Sequence, residues 1–74
     1  MKEGRLIWDA NAQRPDIVYE DGGYYGGLHC GNALEALIRG KWQPTRIECR
    51  TSDGTWYLAG MENGDKILWL AVRN

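Results

Sequence analysis

Apolar and polar positions alternate along the chain in short runs, and most runs close on a glycine-containing turn signal. The two-residue period of a half-buried strand predicts seven segments, at residues 5–8, 16–20, 24–30, 34–39, 42–50, 55–59 and 67–73. Asp21-Gly22, Asp53-Gly54 and Asn63-Gly64 punctuate them, because Asp-Gly and Asn-Gly supply the positive φ angles of two-residue hairpin turns. Gly40-Lys41 adds a fourth signal, with glycine at the first central position of a type II′ turn. There is no repeat, linker or low-complexity stretch. The pattern predicts an all-β fold: a small SH3-like antiparallel barrel or meander of five to seven short strands, in one small domain over residues 1–74.

Residues 32–39 admit a second reading. Asn32 and Glu35 form a capping box, Leu34, Leu37 and Ile38 have helical spacing, and Gly40 ends the segment as a short helix of under two turns. The strand is preferred, and the apolar pattern sets its register. A turn centred on Gly40-Lys41 pairs Leu34 with Ile47, Ala36 with Thr45 and Asn32 with Cys49, which keeps the apolar set on one face. Cys30 and Cys49 then become diagonal neighbours. A turn at Asp53-Gly54 pairs Cys49 with Leu58 and Arg50 with Tyr57. A turn at Asn63-Gly64 pairs Leu58 with Trp69 and Trp56 with Ala71. The expected core is Leu34, Ile47, Cys49, Trp56, Leu58, Ile67, Trp69 and Ala71, closed by Leu6, Ile7 or Trp8. Residues 67–72 are apolar on both faces, where a half-solvated strand alternates. Leu68, Leu70 and Val72 are therefore either covered by the first strand or by barrel curvature, or exposed as a patch for a partner or a homodimer.

Composition narrows the class. Apolar residues at 43% and charged residues at 26% describe an ordinary folded domain. No apolar run approaches the roughly 18 residues of a membrane helix, and Met1-Lys2-Glu3-Gly4 lacks a signal-peptide pattern, so a cytoplasmic location is expected. A reducing compartment then favours free thiols at both cysteines. Residues 1–37 carry net −3 and residues 38–74 carry net +2, a mild charge asymmetry. The net −1 argues against non-specific polyanion binding.

Candidate chemistry is sparse. Ser52 beside a turn and His29 find no third group spaced for a nucleophilic triad, so an enzyme is not expected. His29, Cys30 and Cys49 are the best metal constellation, with zinc as the ion their ligand types suit. Neighbouring strand residues point to opposite faces, however, so the simpler reading is two thiols acting as small hydrophobes and a loop histidine. Tyr24 and Tyr25 stand between two glycine pairs. They form either a bent strand at a barrel rim or a contact surface, since tyrosine gives large area at low entropy cost. Arg46, Glu48 and Arg50 project together beside Tyr57, as a solvated face, a platform for single-stranded nucleic acid, or a surface for an acidic protein.

The block Tyr24-Tyr25-Gly26-Gly27-Leu28-His29-Cys30-Gly31, followed by Leu34-Glu35, Gly40-Lys41-Trp42, Pro44-Thr45-Arg46-Ile47-Glu48 and Trp56-Tyr57-Leu58, resembles a family of short uncharacterised proteins. That family is a domain of unknown function from Firmicutes and their conjugative elements and phages, and the resemblance spans nearly the whole chain. It implies a stand-alone cytoplasmic protein, assigns no catalytic residue, and favours the hairpin over residues 34–48. Its genetic setting makes an anti-CRISPR-like inhibitor of a host defence nuclease, such as a Cas protein, the first expectation. The expected function is a non-catalytic protein-binding module contacting a host or element-encoded protein through Tyr24, Tyr25, Arg46, Arg50 and Tyr57, with Leu68 and Leu70 if exposed. The alternatives are a nucleic-acid-binding module using the same face and a small structural zinc protein.

Overall fold

The computed structural model describes residues 1–61 and 66–74. Six strands form one antiparallel sheet: β1 (Glu3–Asp9), β2 (Arg14–Tyr19), β3 (Ala33–Ile38), β4 (Lys41–Cys49), β5 (Trp56–Leu58) and β6 (Ala71–Arg73). The class is all-β, as the alternation requires, and residues 33–38 are strand rather than helix. The order β2-β1-β6-β3-β4-β5 places the last strand between the first and the third, not beside β5. The expected pairing of Leu58 with Trp69 and Trp56 with Ala71 is thereby overturned. The Asn63-Gly64 turn lies outside the described residues.

One face of each strand supplies the core. Gly4, Leu6, Pro15, Ile17, Tyr19, Leu34, Ala36, Ile47, Leu58 and Val72 are all buried, and Leu28 and Ile67 join them from the connections. Ile17, in the edge strand β2, and Leu58, in β5 at the other edge, belong to the same apolar cluster, so the sheet curls around a single core. Gly4 has no room for a side chain: a β-carbon there would press on the Val18 carbonyl oxygen and lie 2.8 Å from Ile17 Cγ2.

Both hairpin registers differ from the expected ones by two residues, which preserves the faces. β3 and β4 pair Leu34 with Thr45 and Ala36 with Gln43, because the turn centres on Arg39-Gly40. Both central residues have positive φ, 52° and 77°, the mark of a type I′ turn. β4 and β5 pair Ile47 with Leu58, Glu48 with Tyr57 and Cys49 with Trp56, leaving a four-residue loop at Thr51–Gly54. Here Asp53 Oδ1 accepts the Thr55 amide at 3.0 Å, so aspartate shapes the loop without centring a tight turn.

The expected strand at residues 24–30 is reduced to a single bridge, and the one at 67–73 shortens to β6. After Tyr24 bridges Val18, residues 25–30 run irregularly along β2, with the Tyr25 amide donating to the Ile17 carbonyl and the Leu28 amide to the Pro15 carbonyl. The apolar run 67–73 is a turn followed by β6. Trp69 has a φ of 71°, its amide donates to the Leu6 carbonyl at 2.6 Å, and Arg5 Nη1 donates to its carbonyl at 3.1 Å. Val72 is consequently in the core, Leu70 half-buried against it, and Leu68 exposed. Trp69 leaves the expected core for solvent, while Cys49, Trp56 and Ala71 are half-buried.

Candidate binding surface

The glycine–tyrosine segment is held by one side chain. Asp16, only 4% exposed, accepts through Oδ1 the amides of Ile17 at 2.8 Å, Gly26 at 3.0 Å and Gly27 at 2.9 Å. Gly26 and Gly27 meet this oxygen with φ of 108° and 102°, a backbone region closed to most side chains. The staple holds the segment against the edge of β2 and leaves the rings of Tyr24 and Tyr25 outside, Tyr24 at 63% exposure. The sequence reading missed Asp16 because an aspartate in a strand gives no local sign of an amide partner ten residues on.

Upstream, the Tyr19–Gly23 turn closes with Asp21 Oδ1 accepting the Gly23 amide at 2.8 Å. That bond, and then the Lys2 ammonium 3.7 Å away, hold the Asp21 carboxyl below its ordinary range. Lys2 also lies 4.4 Å from the centre of the Tyr19 ring.

The arginine face forms at the other edge of the sheet. Arg46 and Glu48 share the outer side of β4, with Nε and Oε2 3.4 Å apart, and Tyr57 of β5 stands opposite Glu48. Arg50 lies past the end of β4. Its guanidinium reaches Asp53 Oδ2 at 3.5 Å and hangs 5.8 Å from the Tyr57 ring centre. The Thr55 amide and hydroxyl, and then Arg50, hold the Asp53 carboxyl low. Tyr24 and Tyr25 belong to the β2 edge and Arg46, Arg50 and Tyr57 to β4 and β5, so the expected contact set divides between opposite ends of the strand order. Leu68 and Leu70 sit in and after the turn that precedes β6, where Trp69 is 68% exposed. Trp8 is exposed at the end of β1.

His29 and Cys30 are exposed, and Cys30 and Cys49 are free thiols. They do approach each other: the Gly31 amide donates to the Ile47 carbonyl at 2.7 Å, and partial burial, then the Cys30 thiol, pushes the Cys49 thiol up. Among the described residues no three His, Cys, Asp or Glu side chains stand together for a metal, so His29, Cys30 and Cys49 do not assemble a zinc site there. The sequence also missed a clamp across three strands, where Arg73 Nε meets Glu35 Oε1 at 2.7 Å and its guanidinium lies 4.3 Å from the Trp42 ring. Only the insertion of β6 beside β3 makes these residues neighbours. Among the described residues no helix is long and apolar enough to cross a membrane.

The family described as a domain of unknown function, DUF5348, matches residues 4–73. The crystal structure of a protein from Ruminococcus gnavus superposes with a TM-score of 0.84 at 36% identity, covering 99% of this chain and all of that one. A comparison with curated proteins found no match.

Proposed function

We propose that this chain, which belongs to the domain-of-unknown-function family DUF5348, is a non-catalytic protein-binding module. One observation carries the reading: five of its eight tryptophans and tyrosines, Trp8, Tyr24, Tyr25, Tyr57 and Trp69, are exposed. A domain this small has little apolar material for its core and gains most from burying large rings. Leaving most of them in water suits a surface that meets another protein, where tyrosine, tryptophan and arginine dominate contact energetics. Single-stranded nucleic acid is less favoured, because Arg46 and Arg50 each face a carboxylate.

The test is capture from a host lysate with the tagged chain, with and without nuclease. A protein that survives nuclease, and is lost with Tyr24→Ala/Tyr25→Ala or with Arg50→Ala/Tyr57→Ala, supports the reading and shows which edge is used. A signal that vanishes with nuclease moves nucleic acid to first place. The narrower expectation, inhibition of a host defence nuclease, requires in addition that the captured protein be a nuclease whose cleavage the chain blocks.

A further inference from the structure

We propose that the cavity beside Asp16 binds the guanidinium group of an arginine side chain presented by a protein partner. The source of the arginine rests on the protein-binding reading; the chemistry rests on the cavity itself. The cavity has a volume of about 440 Å³ and is lined by Ile7, Trp8, Asp9, Ala10, Asp16 and Tyr24. That volume suits a single side chain or small ligand, whose sites span roughly 300–1,000 Å³.

Register explains four of the six lining residues. Ile7 stands opposite Asp16 in the β1–β2 ladder, Asp9 lies two residues further along β1, and Tyr24 bridges Val18, two residues from Asp16. Strand alternation therefore puts Ile7, Asp9, Asp16 and Tyr24 on one face.

Asp16 makes all three of its hydrogen bonds through Oδ1, and among the described residues none reaches Oδ2. Every described side-chain oxygen or nitrogen sealed from solvent has a partner. Oδ2 therefore keeps an opening, and the cavity is the space that Asp16 borders. Water satisfies that oxygen through the opening, and a charged donor that takes the water's place forms a stronger, charge-assisted hydrogen bond.

The surrounding charge selects the donor. Asp9 Oδ1 accepts the Asn11 and Ala12 amides at 3.0 and 3.2 Å, and among the described residues no ion pair engages Asp9 or Asp16. The base opposite Asp9, Arg14, turns to the Leu28 carbonyl at 3.4 Å. The lining thus carries two carboxylates and no base. Among the described residues no group suited to a metal ion is present there. A planar guanidinium donates directionally to a carboxylate and stacks on an aromatic ring, and it sheds water more readily than an ammonium. Asp16, Asp9 and Tyr24 provide both partners.

The experiment is an NMR titration of the labelled full chain with N-acetyl-arginine amide. We expect saturable shifts at the Gly26 and Gly27 amides and the Tyr24 ring, with no such response to N-acetyl-citrulline amide, which has the same shape without the charge. Asp16→Asn keeps an acceptor for the loop amides but removes the charge, and should weaken binding about tenfold or more. Tyr24→Leu alters an exposed ring and should weaken it about threefold, which keeps the test open if Asp16→Asn does not fold. No saturable shift, an equal response to the citrulline probe, or indifference to both variants overturns the proposal. Free arginine binding far more tightly than the capped probe overturns the protein source. If the probe fails while a protein is still captured, the cavity assignment falls and the protein-binding reading stands. If the probe binds but no protein is captured, that reading falls, and with it the stated source of the arginine.

Discussion

At the scale of single residues, the most consequential side chain is one whose role is invisible in its neighbours. Asp16 sits in β2 between the core-facing Pro15 and Ile17, at a position where alternation expects a solvated polar residue, yet it is buried and makes all its hydrogen bonds through one oxygen. Asp16→Ala strands three amides, of which the Gly27 and Ile17 bonds are buried. We expect a loss of about 3 kcal/mol, taking roughly 1 kcal/mol per orphaned donor. Asp16→Asn, which still offers a carbonyl oxygen to the same amides, should lose less than about 1 kcal/mol. Urea unfolding of both variants checks this, and equal losses would refute the staple. The cysteines show what residue-level reading does reach: despite a two-residue error in register Cys30 and Cys49 are neighbours, because Gly31 and Asn32 exchange backbone hydrogen bonds with Ile47 and hold the irregular segment beside the end of β4.

Among the elements, the β3–β4 hairpin carries its weakness in its turn. Arg39 occupies a left-handed conformation that costs a non-glycine residue about 1 kcal/mol, and its exposed side chain forms no ion pair among the described residues. Asparagine tolerates that conformation and precedes glycine in the favoured type I′ turn. Arg39→Asn should therefore raise stability by about 0.5–1 kcal/mol, read as a higher urea midpoint with an unchanged slope. The same turn shows why the class was legible and the pairing was not. Alternation fixes which residues share a face, and Leu34, Ala36, Ile47 and Leu58 all reached the core. Register depends instead on which dipeptide adopts positive φ, and Arg39-Gly40 outcompeted Gly40-Lys41 without any residue type announcing it. The run at 67–73 was misread for a related reason. Apolar on both sides, it is equally consistent with a two-faced strand and with a turn feeding a short central one. The left-handed backbone at Trp69, which splits the run, belongs to a residue type that rarely adopts it. Tyr24, Tyr25 and Tyr57 are exposed, one of the two arrangements their spacing allowed, whereas the cavity between β1 and the glycine–tyrosine segment depends on a ladder, Ile7 opposite Asp16, that sequence spacing does not display.

Across the whole molecule, β6 is the element that makes two pieces into one. The β1–β2 hairpin and the β3–β4–β5 meander share no ladder of their own among the described residues; each pairs with β6. Val72 faces Gly4 on one side and Ala36 on the other and is fully buried, so three residues near the end of the chain connect both halves of the core. The turns at residues 10–13 and 39–40 join strands that are adjacent in sequence, whereas Gly4 and Val72 meet from opposite ends of the chain. Each doubling of a closed loop adds about 0.6 kcal/mol of entropy, so the local hairpins should form first and β6 should dock after them. A residue that acts late affects unfolding more than folding. Val72→Ala should therefore cost about 2 kcal/mol, appear mainly as faster unfolding, and leave the folding limb of the chevron nearly in place. Ile47→Val, within the local β3–β4–β5 unit, should lose about 1 kcal/mol and slow folding instead. If Val72→Ala shifts the folding limb as far as the unfolding limb, β6 belongs to the nucleus. The end-to-end pairing would then be the step that starts the fold, and the two hairpins would be its consequence.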